Sequence, residues 1–262
     1  MKNLIAVSTA LLLSSFQASS IETDSSNIGW QLNPDFLKQQ VSVSMSPGRS
    51  VKTLLGHYPE SISSIVSVAL DTYPEDYKEI IHAAISAQPY SSEEIVTIAV
   101  NKGITECESI VSTAIKAEPG YVSFVAAAAA QASPDDFKDI LRVAVLTEPD
   151  SADKIVQTVA KSYPQRITDI LNATIHYVPK IGEYVVDALL AIFPNDAEEV
   201  VSVTVREVGD DAEQIKKIIN SALNAGVEAD DVARYAIKGG ASVDVVNTAI
   251  DKQAQTKAVP QD

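Results

Sequence analysis

The chain has 262 residues, 46% of them hydrophobic, and a formal net charge of −15 at pH 7. Such a composition can bury a core, which excludes a wholly disordered chain. The acidity argues against nucleic acid, which is held mainly by Lys and Arg on phosphates, and against adsorption on anionic lipid.

The first residues differ from the rest. Lys2 gives a short basic start, Leu4 to Leu13 form an apolar run broken only by small Ser and Thr, and Ala18, Ser19 and Ser20 follow. This order predicts a secretory signal peptide over 1–20, cleaved to leave a mature chain from Ile21. The expected location is therefore periplasmic or extracellular. No later stretch reaches about 18 uninterrupted apolar residues, so no integral membrane segment is expected after cleavage. Residues 21–43 lack any repeat but hold Trp30 and Phe36, which suit a small lid over the first helix.

From there the prolines set the organisation. They stand at Pro59, Pro74, Pro89, Pro119, Pro134, Pro149, Pro164, Pro179 and Pro194, every interval a multiple of fifteen, with Ile104 and Gly209 in the vacant slots. Self-similarity at a fixed period marks a repeat architecture. Counting each unit from its proline slot, position seven runs Ile65, Ile80, Ile95, Ile110, Val125, Ile140, Ile155, Ile170, Val185, Val200, Ile215. Position eight is apolar in all but the last unit, and position eleven is Ala in the first six. Apolar positions four, seven, eight, eleven and twelve trace one stripe of a 3.6-residue helix. The many Val and Ile residues favour strands on propensity alone, but position nine is mostly polar, and here period outweighs propensity.

The spacing predicts a helix over positions four to fourteen of each unit. Ser or Asp at position three reads as an N-cap, with Glu79, Glu94, Glu199 and Gln214 completing capping boxes. Pro ends the preceding helix. Three turns are too few to be stable alone, so each helix must bury its four or five aliphatic side chains on neighbours, at roughly 1.5–3 kcal/mol apiece. Short turns bring consecutive helices back antiparallel, and Ala at position eleven lets backbones approach, with Ala126–Ala130 as the extreme. The predicted fold is an all-α, right-handed α-solenoid over 44–251, of short antiparallel helices repeating every fifteen residues. Residues 44–58 read as a divergent first unit; after 223 the phase slips, leaving two late helices, and 252–262 reads as a flexible tail.

This array resembles α-solenoids of the HEAT type, with two fifteen-residue helices to a hairpin. That resemblance implies a binding scaffold.

Chemistry is sparse. The chain contains none of the nucleophile-elbow, zinc-protease, P-loop or dinucleotide-binding motifs, so neither enzymatic activity nor a cofactor or metal is expected. Cys107 falls on a buried repeat position and reads as structural. The acidic pairs Asp135–Asp136, Asp210–Asp211 and Asp230–Asp231 read as complements to helix dipoles. Stripe departures at Ser92, Thr174, Gly182, Thr204, Lys216 and Asn220 form no catalytic set. One pattern remains: positions nine and thirteen of alternate units carry His82, Lys116, Arg142, His176 and Arg206. If alternate helices share one wall, these five residues make a basic row suited to an extended anionic partner. The expected function is a non-enzymatic scaffold binding a protein or an acidic polysaccharide along one wall. A structural or self-assembling envelope or matrix protein is the alternative.

Overall fold

A proline at the first position of a unit fixes φ and stops the incoming helix; the structure shows how the next helix then begins. The computed structural model describes residues 33–258. The signal peptide expected over 1–20, the mature start Ile21, Trp30 and residues 259–262 lie outside the described residues. Among the described residues fifteen α-helices follow one another. They are α1 (Pro34–Ser44), α2 (Pro47–His57), α3 (Ile62–Thr72), α4 (Tyr77–Ala87), α5 (Ser92–Lys102), α6 (Cys107–Ala117), α7 (Val122–Ala132) and α8 (Phe137–Thr147). Then come α9 (Ala152–Ser162), α10 (Ile167–Ile175), α11 (Gly182–Leu190), α12 (Ala197–Val208), α13 (Ala212–Asn224), α14 (Ala229–Gly239) and α15 (Val243–Ala258). From α3 to α9 every helix occupies positions four to fourteen of its unit, as the apolar period requires.

The entry into these helices differs from a capping box. Each proline opens a single 3₁₀ turn, such as Pro59–Ser61 or Pro74–Asp76, that runs directly into the α-helix. Position three is close to helical, with φ −98° and ψ 22° at Ser61, and its side chain caps nothing. Its amide instead donates to the carbonyl of the residue before the proline, as Ser61 does to Tyr58 at 3.0 Å. With that carbonyl already serving, Glu79, Glu94 and Glu199 are free to reach sideways, accepting from Ser46, Ser63 and Thr168 two helices earlier. Only Asp211 caps as expected, accepting from the amides of Glu213 and Gln214.

The two units without proline change direction by another route. Gly103 ends α5 at φ 58°, and Gly209 follows α12 at φ 64°, a region that a Cβ disfavours. Both bends are followed by an extended residue, Glu106 or Asp211, at the helix start.

From α2 to α13 each helix packs more extensively on the second helix along than on the next: α2 on α4, α5 on α7, α10 on α12, α12 on α14. Even-numbered helices therefore form one layer and odd-numbered helices the other. Between them runs a continuous core of positions seven, eight, eleven and twelve, for example Ile80, Ile81, Ala84 and Ile85, all fully buried. This is an all-α, solenoid-like fold. At the start, α1 packs on α2 and α3 with Leu37 buried and Phe36 against the core; at the far end α15 runs on to Ala258. Among the described residues no helix is long and apolar enough to cross a membrane.

Polar rungs tie helices within a layer. Arg142 on α8 meets Glu108 on α6 at 2.8 Å, Lys138 on α8 meets Asp169 on α10 at 3.1 Å, and Lys102 on α5 meets Asp71 on α3 at 2.6 Å. Further along, Lys217 on α13 meets Glu183 on α11 at 3.2 Å, and Lys238 on α14 meets Glu198 on α12 at 2.5 Å. Exposed pairs contribute little singly, about 0–1 kcal/mol, but every one of these specifies the same two-unit register.

Candidate binding walls

All five residues of the basic row lie on the even layer, but they do not form one bare strip. His82 and Lys116 share a shallow depression of about 500 Å³ between α4 and α6, together with Lys78 and Glu79. Arg142 is half-buried and engaged: its guanidinium meets Glu108 and Asp139 and lies 5.5 Å from the Tyr177 ring centre. The Glu108 carboxylate raises its pKa further. His176 packs edge-on to Tyr177 with ring centres 5.1 Å apart, and its Nδ1 lies 3.4 Å from Glu207. Arg206 is exposed, with Nε 3.6 Å from the same Glu207. Acidic neighbours thus interleave with every cation of the row except Lys116 and His82, whose depression holds Glu79.

Two of the stripe departures are absorbed by local hydrogen bonds. Buried Ser92 donates to the Pro89 carbonyl at 2.6 Å and buried Thr174 to the Ile170 carbonyl at 2.7 Å. The Thr204 hydroxyl and the Asn220 amide oxygen are buried without a partner among the described residues, at positions where most units carry Ala or an aliphatic residue. Among the described residues no group of three or more His, Cys, Asp or Glu could hold a metal ion. Cys107 is buried; burial first, then Asp136 and Glu108, push its thiol up to about 11, which leaves it inert at neutral pH.

The odd layer holds what the residue pattern did not reveal. An open groove of about 1020 Å³ crosses the outer faces of α5, α7 and α9. Its floor is Ala127 and Ala128, where α7 has methyl groups and the flanking helices have Thr97, Ile98 and Thr158. One end is rimmed by Tyr90, 90% exposed, and Phe124, 45% exposed. Tyr121 stands between them, edge-on to Tyr90 at 5.8 Å and tilted against Phe124 at 6.1 Å. Burial, then Tyr90 and Glu118, raise the Tyr121 hydroxyl above its usual pKa. The remaining lining is Ser91, Glu93, Glu94, Gln131, Ser162 and Tyr163, so among the described residues the groove has two carboxylates and no cation.

A second depression of about 630 Å³ lies further along the same layer, beside Tyr184, which is 57% exposed. There Lys180 and Lys217 join the lining, and Lys217 takes up Glu183. Ala126–Ala130 signals close helix approach when read along one helix. The furrow depends on what the helices two units away carry at the same positions, and a single helix does not contain that information.

Comparison of the chain with protein families, with curated proteins and with solved structures finds no match.

Proposed function

We propose that the protein is an exported, non-enzymatic scaffold that binds a polypeptide partner along its odd-layer wall. The observation that carries this reading is the α5–α7–α9 groove: exposed aromatic rings at one end, an alanine floor, and polar groups along its length. Tyr and Phe supply large contact area at low entropic cost, which is why they concentrate at interaction surfaces. Solvent-exposed rings clustered around a concave surface mark interaction sites on soluble proteins. The even wall is less suited to an acidic polymer than its basic residues suggest, because Arg142, His176 and Arg206 already face carboxylates of their own chain. No reacting group is set up in the groove, whose hydroxyls are partly turned inward: Thr97 donates to the Glu93 carbonyl and Ser162 to that of Thr158.

Photo-cross-linking in the producing cells tests the reading. A photoreactive residue replacing Thr97 in the groove is expected to give a discrete adduct with a second polypeptide, and one replacing Ser112 on the even wall is not. Adducts from Ser112 alone, or from neither, overturn it.

A further inference from the structure

The molecule repeats one small arrangement of rings, carboxylate and guanidinium. At the α8–α9 edge, Phe137 and Tyr163 stand edge-to-face at 5.4 Å, and the Arg166 guanidinium lies 3.6 Å from the Phe137 ring centre while its Nε reaches Asp169 at 3.1 Å. On the even wall, Tyr177 and His176 form an edge-to-face pair, the Arg142 guanidinium lies 5.5 Å from the Tyr177 ring, and Glu108 holds its charge. In each place a planar cation covers a ring face and an acid fixes the cation, which combines the two interactions that a guanidinium makes best.

The odd-layer groove has the same parts without the cation. Tyr90 and Tyr121 stand edge-to-face, Phe124 adds a third ring, and Glu93 and Glu94 line the same groove. Glu94 accepts one hydrogen bond from Ser63, whereas Glu93 is in no ion pair among the described residues. Among the described residues no Lys, Arg or His lines the groove, and no cation covers these three rings.

We propose that the Tyr90–Tyr121–Phe124 cluster, with Glu93, receives an arginine side chain from a basic segment of the protein partner. This rests on the scaffold reading above and names the chemistry of the partner it invokes. The charge is complementary: a cation-free groove with two carboxylates, on a chain of net charge −15, attracts a basic segment and repels an acidic one. A guanidinium laid on Tyr90 or Phe124 keeps its edge free for Glu93, as Arg166 does between Phe137 and Asp169. The alanine floor leaves room for the partner's backbone to continue toward α9.

The test is titration of the full chain with a labelled hexa-arginine peptide, an uncharged Gly/Ser peptide of equal length and a neutral oligosaccharide. The wild type, Tyr90→Ala/Phe124→Ala, Glu93→Gln and a distant control, Tyr184→Ala, are compared. The expected result is arginine-peptide binding that weakens with salt. It falls about tenfold or more in the double variant and several-fold in Glu93→Gln, and it is unchanged in Tyr184→Ala. The double variant removes no charge, so diffuse attraction to an acidic protein would leave it unaffected, and equal binding by wild type and double variant overturns the proposal. Should that variant melt differently, the single substitution Tyr90→Ala, which is also charge-neutral and at a ring 90% exposed, decides instead. Oligosaccharide binding lost in the double variant, with no peptide binding, also overturns it. Groove adducts from Thr97 without peptide binding sink the arginine receptor alone, whereas peptide binding without adducts sinks the scaffold reading.

Discussion

The even and odd layers are built from the same fifteen-residue unit, yet they finish their outer surfaces differently. On the even side, cations face carboxylates two helices away, and the Tyr177 ring carries the guanidinium of Arg142. On the odd side, α7 retreats to alanine and leaves three rings and a carboxylate without such a cover. The residue types alone point the other way, toward a basic even wall as the binding surface. The lesson is that in a stacked repeat a charge is available only if the helix two units along does not answer it.

The comparison depends on layer register, so the strongest attempt to break it is to shift that register. Deleting 119–148 removes one helix from each layer and keeps every downstream helix in its own layer. Deleting 119–133 moves all later helices to the opposite layer, where the rungs and Ala-lined contacts no longer match. The thirty-residue deletion is expected to keep a single cooperative melt by circular dichroism, and the fifteen-residue deletion to aggregate or melt broadly. Equal melts would mean that the layers are interchangeable.

A smaller effect separates a covered ring from an open one. Phe137 is 1% exposed and sits under Arg166, so Phe137→Ala is expected to cost about 3–5 kcal/mol in urea unfolding. Phe124→Ala, on the groove rim, is expected to cost less than about 1 kcal/mol. Comparable losses would show that the groove rim is a structural element.

Acid titration sharpens the same contrast. Burial acts to raise the Asp169 pKa, but Lys138 and Arg166 outweigh it and hold the carboxyl below its ordinary value. A depressed folded-state pKa stabilises above the unfolded value, about 3.9, and that contribution is lost as pH falls through the folded value. Asp169→Asn should therefore lower stability at pH 7 by on the order of 1 kcal/mol, and its difference from wild type should shrink below about pH 4. A difference that persists at low pH would mean that the charge is not what matters.

The smallest effect is local. With its thiol raised to about 11, Cys107 should react slowly with a thiol reagent at pH 8 and quickly in denaturant. Fast reaction in the folded protein would place the α5–α6 junction in an open state.

Helix spans and layer alternation were legible in the residues, because a fifteen-residue proline spacing and an apolar stripe leave little freedom: α3 to α9 fall on the expected positions. The helix entries were not. Ser and Asp favour both an N-cap and a 3₁₀ turn, and the choice was made by Pro, whose turn brings position three close to helical geometry. The carboxylates expected to cap, Glu79, Glu94 and Glu199, act between helices instead, a use visible only once the register is known. The basic row was legible in composition and not in pairing. Glu108, which answers Arg142, and Glu207, which answers His176, belong to other units. The groove needed three helices side by side, although Ala127 and Ala128 opposite Thr97, Ile98 and Thr158 were its trace.

The claim that one wall is covered and the other open can be measured on the protein directly. In the chain with isotope-labelled tyrosine rings, titration with methylguanidinium should shift the Tyr90 and Tyr121 resonances while that of Tyr177, which carries Arg142, stays in place. In Arg142→Ala the Tyr177 signal should begin to respond, because its ring then lacks its own cation. Equal shifts at Tyr90, Tyr121 and Tyr177, or none at Tyr90 and Tyr121, would contradict the account.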